Sequence, residues 1–217
     1  MRSILRTDPI ARDVAALCMA AAIVGLSFGA IASAGGVPLS QIVAMNALVY
    51  AGGAQFLAVG LAGAGATAAA IVLAGLLLNA RHLPFGLAIG NEVLGRRRFL
   101  GSHLMTDESV AFALAQNDPA RRRRAYWLTG VSLYLTWNVC AAIGAIAGSA
   151  LGDPNTFGID AAFPAALFAL TLPSLKDAAS VRVAAGGAAL ALIATPVLPA
   201  GLPVLAALFA LFLARSK

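Results

Sequence analysis

The residues best suited to chemistry in this sequence begin with an isolated arginine. From residue 14 to residue 91, Arg81 and the neighbouring His82 are the only side chains that can carry a positive or negative charge. An ionisable residue among apolar spans is functional by default, and a guanidinium binds a carboxylate through two parallel hydrogen bonds. We therefore predict that Arg81 binds a substrate carboxylate. The alternative is an arginine near a helix end whose guanidinium reaches the lipid headgroups.

Three further residues are candidates for moving protons. His82 is a candidate because a histidine side chain can relay protons, although a hydrogen-bonded core histidine is the commoner case. Asp107 and Glu108 lie in a polar segment where charges are usually solvated. An apolar stretch at residues 104–115 follows the pattern of a helix packed on the rest of the protein, and would carry both carboxylates close to Arg81.

A pair of glycines followed by an amide marks a second candidate site. Gly52, Gly53 and Gln55 stand in a long uncharged stretch, where glycine weakens a helix and an amide needs partners. A helix broken there exposes backbone N–H groups, and such half-helix ends hold substrates in many secondary transporters. We expect these residues to bind substrate beside Arg81. The alternative is a close helix crossing built from small residues.

Asp160 is the last candidate, because it opens an apolar run. It would bind the ammonium group of a substrate or couple an ion. A carboxylate at a helix N-terminus, favoured by the helix dipole, is the structural alternative.

The elements that position these residues must be membrane helices. Hydrophobic residues make up 60% of the 217 and charged residues 11%, against about 25% charged in soluble domains. Several uncharged stretches exceed the roughly 20 residues that a spanning helix needs. The sequence predicts an all-α, polytopic helix bundle with six to eight crossings, forming one domain over residues 1–217.

Two internal repeats with interrupted helices are predicted, at about residues 14–90 and 125–214. A shift of 119 residues aligns Gly25 with Gly144 and Gly29 with Gly148. The segment 91–124 between the repeats contains seven arginines, which predicts a cytoplasmic location. Three crossings in each repeat would put the chain's N-terminus on the opposite side, whereas its own arginines favour the same side; four crossings would remove the conflict.

The order and spacing of these motifs resemble the AzlC family, the large subunit of bacterial branched-chain amino acid exporters. The resemblance covers about residues 13–213 and rests on five pieces. They are residues 50–56 (Tyr-Ala-Gly-Gly-Ala-Gln-Phe), residues 79–82 (Asn-Ala-Arg-His), Asp107 and Glu108 followed by Ser-Val-Ala-Phe, Trp137 ahead of Gly144 and Gly148, and Asp160 ahead of Ala-Leu-Phe at 166–168.

The resemblance implies a multi-pass protein of the bacterial inner membrane. It also implies export of branched-chain amino acids, often with methionine, driven by a proton gradient, and a small membrane partner of the AzlD type. No cofactor or metal is expected, and the sequence has no Gly-x-x-x-x-Gly-Lys-Ser/Thr loop for ATP. Two other readings stay open: an intramembrane serine hydrolase using Ser27 with His82 or His103, and a structural membrane subunit without transport activity.

Overall fold

The computed structural model describes residues 8–150, 168, 171–172, 175–199 and 202–215. Within these ranges the chain is helical and contains no strand, which confirms the predicted class. The helices are α1 (Pro9–Ala34), α2 (Leu39–Leu48), α3 (Gly52–Gly63), α4 (Ala68–Asn79), α5 (His82–Leu94), α6 (Arg98–His103), α7 (Asp107–Leu114), α8 (Pro119–Ser149), α9 (Ala178–Ala194) and α10 (Leu202–Ala206), with 3-10 turns at Gly95–Arg97 and Ala207–Arg215.

Contacts divide the chain into two compact units. The first contains residues 1–51 and 80–152, and the second contains residues 52–79 and 153–217. All the contacts described below lie within one unit or the other.

The two longest helices of the first unit, α1 and α8, begin in the same way. Asp8 precedes Pro9 and accepts a hydrogen bond from the Ile10 N–H. Asp118 precedes Pro119 and accepts one from the Arg121 N–H at 2.8 Å. Proline costs nothing at a first helical position, because the N–H that it lacks has no partner there.

α1 and α8 lie side by side and run in the same direction. Near the start of both helices, an ion pair joins Asp8 to Arg124 at 2.6 Å. Further along, Gly25 lies against Cys140, and Ala30 lies against Gly148. Because positions rise together along both helices, the pair is parallel, and the N-terminus of α1 lies at the same end as the arginine cluster of α8.

Glycines allow these two helices to touch backbone to backbone. A Cβ added at Gly29 would collide with the backbone of Ala141, and one at Gly144 would collide with the backbone of Leu26. Membrane helices use such small residues where their backbones approach closely. The glycines aligned by the 119-residue shift therefore all lie in the α1–α8 interface. The repeat itself stays a prediction.

The helices of the central segment pack against the first half of α8. Seven buried residues form their common core: Ile89, Val93, Leu94, Met105, Val110, Ala113 and Tyr126. The Tyr126 hydroxyl donates to the Gly101 carbonyl at 2.8 Å, and the Trp127 indole donates to the Val93 carbonyl at 3.2 Å. Aromatic residues at the start of an apolar span, such as Tyr126 and Trp127, are expected from sequence to anchor a helix at the membrane surface. For Tyr126 this is wrong, since the side chain is fully buried and fastens α8 to α6.

The surface of the described residues is apolar in the way a membrane protein requires. α1 and α8 are long and apolar enough to span a bilayer, and α4 with residues 82–103 makes a third span if the two count as one bent segment. Leu87 is 86% exposed and Met19 72% exposed, as expected for side chains that face lipid. Six to eight crossings stay a prediction.

In the second unit, α3 pairs with α4, and α9 pairs with the 3-10 segment near the C-terminus. The turn between α3 and α4 contains Gly65 at φ 77°, a conformation that glycine adopts without steric cost. Asp177 caps α9 by accepting the N–H groups of Ala179 and Ser180 at 2.9 Å each. The hydrogen bonds from Ser180, chiefly its backbone N–H, hold the pKa of the Asp177 carboxyl below its usual value.

The α1–α8 contact yields a matched pair of substitutions on one helix. Gly29→Ala should destabilise the protein by about 1–3 kcal/mol, because its methyl group would meet backbone that cannot rotate away. Gly25→Ala, one turn earlier, should be tolerated, since the nearest atom to its new Cβ is 3.4 Å away. Melting temperatures in detergent compare the two. Equal melting temperatures would contradict the proposed backbone contact.

Candidate functional site

The interruption predicted in the second apolar stretch is present, but it occupies residues 49–51, directly before the glycines. α2 ends at Leu48 and α3 begins at Gly52, so Gly52 and Gly53 are the first two residues of a helix. The left-handed residue at the break is Tyr50, with φ 44°. A positive φ is uncommon for a residue with a bulky side chain and persists only where surrounding contacts impose it.

Two side chains satisfy the backbone that the break leaves exposed. The Ala47 carbonyl, near the end of α2, accepts a hydrogen bond from His103 Nε2 at 2.8 Å and another from the Tyr134 hydroxyl at 3.1 Å. A carbonyl oxygen has no proton to give, so His103 Nε2 carries the hydrogen. These bonds meet the requirement that freed backbone groups among apolar helices find partners.

Aromatic rings surround the same place. The Tyr50 ring meets Tyr134 edge-on at 4.9 Å between centroids and lies 6.2 Å from His103. The three rings therefore cover the end of α2 in the first unit. Tyr50 is 6% exposed, so the strained residue is buried under its neighbours.

Directly before Ala47, a buried amide continues this cluster. Asn46 is fully buried, and its Oδ1 accepts from the Trp137 indole at 3.3 Å. Trp137 in turn stacks on Phe28 of α1 at 5.8 Å. The end of α2 is thus tied to both long helices of the first unit.

Arg81 lies at a second interruption, between the end of α4 at Asn79 and the start of α5 at His82. Its guanidinium forms an ion pair with Asp107, with 3.8 Å between Nη2 and Oδ1. The Arg81 side chain is 39% exposed, yet its Nε is buried and has no hydrogen-bond partner in the described part of the chain. The predicted approach of Asp107 to Arg81 is present, and the arginine keeps an unused donor.

Asp107 and Glu108 occupy the first turn of α7, the helix expected at residues 104–115. Thr106 and Ser109 cap it reciprocally: the Ser109 N–H donates to the Thr106 hydroxyl at 3.1 Å, and the Thr106 N–H donates to the Ser109 hydroxyl at 2.9 Å. Carboxylates in a first turn are stabilised by the helix dipole. This accounts structurally for both acids, whatever further role they have.

Glu108 differs from Asp107 in its surroundings. Burial raises the pKa of the Glu108 carboxyl, the negative charge of Asp107 raises it further, and the positive charge of Arg81 opposes both. A carboxyl in such a place keeps its proton at a higher pH than an exposed glutamate does.

Two of the remaining predicted residues lie in described helices, and one lies outside the described residues. His82 meets the Phe85 ring edge-on at 5.9 Å. Gln55 is buried in α3, at 1% exposure. Asp160 lies outside the described residues, as does Pro173, which the 119-residue shift aligns with the Gly52–Gln55 stretch of the first repeat.

Three residues of the break were not singled out as site residues from sequence. They are Tyr50, Tyr134 and, as a partner of the break, His103. Tyr50 directly precedes the glycine pair, which was a usable signal. His103 and Tyr134 contact Ala47 from 56 and 87 residues away along the chain, and nothing local indicates such contacts.

Comparison with known proteins places the chain. The family model described as AzlC protein matches residues 16–151. The branched-chain amino acid transport protein AzlC of Bacillus subtilis is 30% identical over 141 residues, which cover 63% of this chain and 55% of that protein.

Two further relatives are described as uncharacterized membrane proteins. The one from Haemophilus influenzae is 26% identical over 58% of this chain and 54% of its own length. The one from Archaeoglobus fulgidus is 30% identical over 78% of this chain and 75% of its own length. The matched region thus spans just over half the length of the first two relatives. No solved structure matches. The family model covers well over half of the sequence, and this chain is therefore a member of the AzlC family.

Proposed function

We propose that this protein is the large subunit of a secondary transporter that exports branched-chain amino acids across the bacterial inner membrane. The observation that carries the proposal is its membership of the AzlC family, in which the Bacillus subtilis relative is named for branched-chain amino acid transport. A small membrane partner of the AzlD type and methionine as a further substrate belong to the same proposal.

Arg81 supplies the chemistry that an amino acid carboxylate requires. Its ion pair with Asp107 spans 3.8 Å between partly exposed side chains, and such pairs are worth little in net free energy. An incoming carboxylate can replace Asp107 and engage the unused Nε together with an Nη group. Asp107, once released, is a carboxylate available for the substrate ammonium or for a proton.

Proton coupling is assigned to the acids near Arg81. Glu108 is the strongest candidate, since burial and the charge of Asp107 raise its pKa. Asp107 and His82 are the alternatives. In the second unit, the first backbone N–H groups of α3, at Gly52 and Gly53, are donors that lack intrahelical partners, and with Gln55 and Asp160 they are the other proposed substrate-binding residues.

The described hydrogen bonds of Ser27 and His103 do not favour a hydrolase. The Ser27 hydroxyl donates to the Ile23 carbonyl at 2.9 Å, and His103 Nε2 donates to the Ala47 carbonyl. Both side chains thus donate these hydrogen bonds to backbone carbonyls, whereas a nucleophile and its general base must be hydrogen-bonded to each other.

An export assay tests the proposed function and the role of Arg81 together. Cells that lack their own branched-chain amino acid exporters are loaded with labelled leucine, and efflux is followed with and without a co-expressed AzlD-type partner. The wild-type chain with its partner should accelerate efflux. Arg81→Lys should lower the efflux rate at least about tenfold, because lysine retains the charge but loses the two-point contact with a carboxylate.

Arg12→Lys is the matched control, since Arg12 is 73% exposed and pairs with the adjacent Asp13. It should leave efflux unchanged. Absence of leucine efflux by the wild-type pair would contradict the function, and normal efflux by a correctly inserted Arg81→Lys protein would remove Arg81 from substrate binding.

The raised pKa of Glu108 predicts how stability depends on pH. Below the usual pKa of about 4.5 the carboxyl is protonated in both the folded and unfolded states. As pH rises above that value, the unfolded chain releases its proton first, so the folded state loses stability until the raised pKa is passed. Glu108→Gln should therefore flatten the fall of melting temperature above about pH 4.5, whereas Glu92→Gln, at an exposed position of α5, should not. Identical profiles for wild type and Glu108→Gln would contradict the buried protonated carboxyl.

A further inference from the structure

We propose that His103 and Tyr134 form a latch that holds the end of α2 in its broken conformation, and that transport depends on this latch. Both are positioning residues, acting through the backbone of α2. The structural part of the proposal stands by itself, and only its transport part rests on the proposed function.

The hydrogen bonds of α2 show what the latch replaces. In a continuous helix the Ala47 carbonyl would accept the N–H of Ala51. In the structure the N–H groups of Val49 and Tyr50 both turn back to the Met45 carbonyl, at 2.9 and 3.3 Å. The Ala47 carbonyl is left for His103 at 2.8 Å and Tyr134 at 3.1 Å, so two side chains stand in for one helical hydrogen bond.

Contacts with α8 hold His103 in position to reach the Ala47 carbonyl. His103 is the last residue of α6, and the Gly101 carbonyl just before it accepts from the Tyr126 hydroxyl. The Leu104 carbonyl just after it lies so close to Gly130 of α8 that a Cβ added to the glycine would be only 3.0 Å from the carbonyl oxygen, which is tighter than ordinary van der Waals contact. α8 therefore fixes the chain on both sides of His103 and also supplies Tyr134.

The same side chains shield the strained residue. Tyr50 is left-handed at φ 44°, and its ring lies against Tyr134 at 4.9 Å and near His103 at 6.2 Å. Removing the latch releases the Ala47 carbonyl and loosens the packing over Tyr50 together. The segment 46–51 then loses the contacts that select one backbone conformation.

This places a control point at the end of α2. α6 belongs to the arginine-rich central segment, whereas α2 is uncharged. The His103–Ala47 bond is thus a direct mechanical link between the polar segment and the interrupted helix. Any movement of α6 along α8 must either carry the end of α2 with it or break this bond.

Hydrogen–deuterium exchange of the purified protein in detergent tests the latch without any substrate. The combined variant His103→Leu with Tyr134→Phe removes both donors and should make the amides of residues 47–51 exchange roughly tenfold faster, the size expected when one or two hydrogen bonds are lost. His103→Gln keeps a side-chain N–H donor and should restore slow exchange. Tyr134→Phe alone removes one donor conservatively and should give an intermediate rate, even if the combined variant does not fold.

Ser149→Ala is the matched control. It removes a hydroxyl-to-carbonyl hydrogen bond of 2.7 Å from the same helix, but this bond runs to the Ile146 carbonyl within α8. Exchange at residues 47–51 should stay as in the wild type.

Leucine efflux by the same variants, with the partner present, tests the transport part. Efflux should fall in the order of the exchange rates, with His103→Gln close to wild type. Unchanged exchange in both Tyr134→Phe and the combined variant would overturn the latch. Faster exchange with unchanged efflux would overturn its role in transport. If the wild-type protein itself moves no leucine, the proposed function fails, and the exchange result still decides whether the latch exists.

Discussion

Direct contact between two helix backbones, at Gly29 of α1 and Gly144 of α8, is the constraint on which the first unit depends. Because a side chain would not fit at either glycine, the contact fixes the register of one helix along the other. The Asp8–Arg124 ion pair then lies at one end, and the helices run in the same direction. α2, α5 and α7 all pack against α8.

The second constraint is that interrupted helices in apolar surroundings must find partners for their backbone groups. The break at Tyr50 exposes the Ala47 carbonyl, and side chains from α6 and α8 satisfy it. These side chains stand at the right depth because α8 is already positioned against α1. The break is therefore a supported feature of the fold, because side chains from two other helices hold it in one conformation.

Arg81 illustrates the same principle with a charge. It lies where α4 gives way to α5, and it meets Asp107 at the start of α7. A partly exposed pair with a long separation holds the guanidinium in place while leaving it open to exchange its carboxylate. Glu108, one residue further, is buried enough that the pKa of its carboxyl is raised. Two acids, one of them paired with Arg81, thus lie at the N-terminus of one short helix.

Sequence alone predicted the class, the interruption near Gly52, the helix of the central segment and the meeting of Arg81 with Asp107, because each follows from composition or from local pattern. It placed the break at the glycines instead of at Tyr50, since propensity points to glycine whereas the positive φ is imposed by tertiary contacts. The sequence suggests that Tyr126 is an anchor at the membrane surface, because the burial of a single side chain cannot be read from the residues beside it. The roles of His103 and Tyr134 depend on contacts between distant parts of the chain, which no local signal carries.

The parallel arrangement of α1 and α8 is the central claim, and the accessibility of two cysteines tests it directly. In a protein whose Cys18 and Cys140 are replaced by alanine, a cysteine is placed either at exposed Asn117, just before α8, or at exposed Ser40, beyond the far end of α1. A membrane-impermeant thiol reagent added to intact cells should label the cysteine at position 40 and spare the one at position 117. This is the labelling pattern expected if both helices are parallel and start on the cytoplasmic side. Equal labelling at both positions would contradict the parallel arrangement, and labelling at position 117 alone would reverse the predicted orientation of both helices.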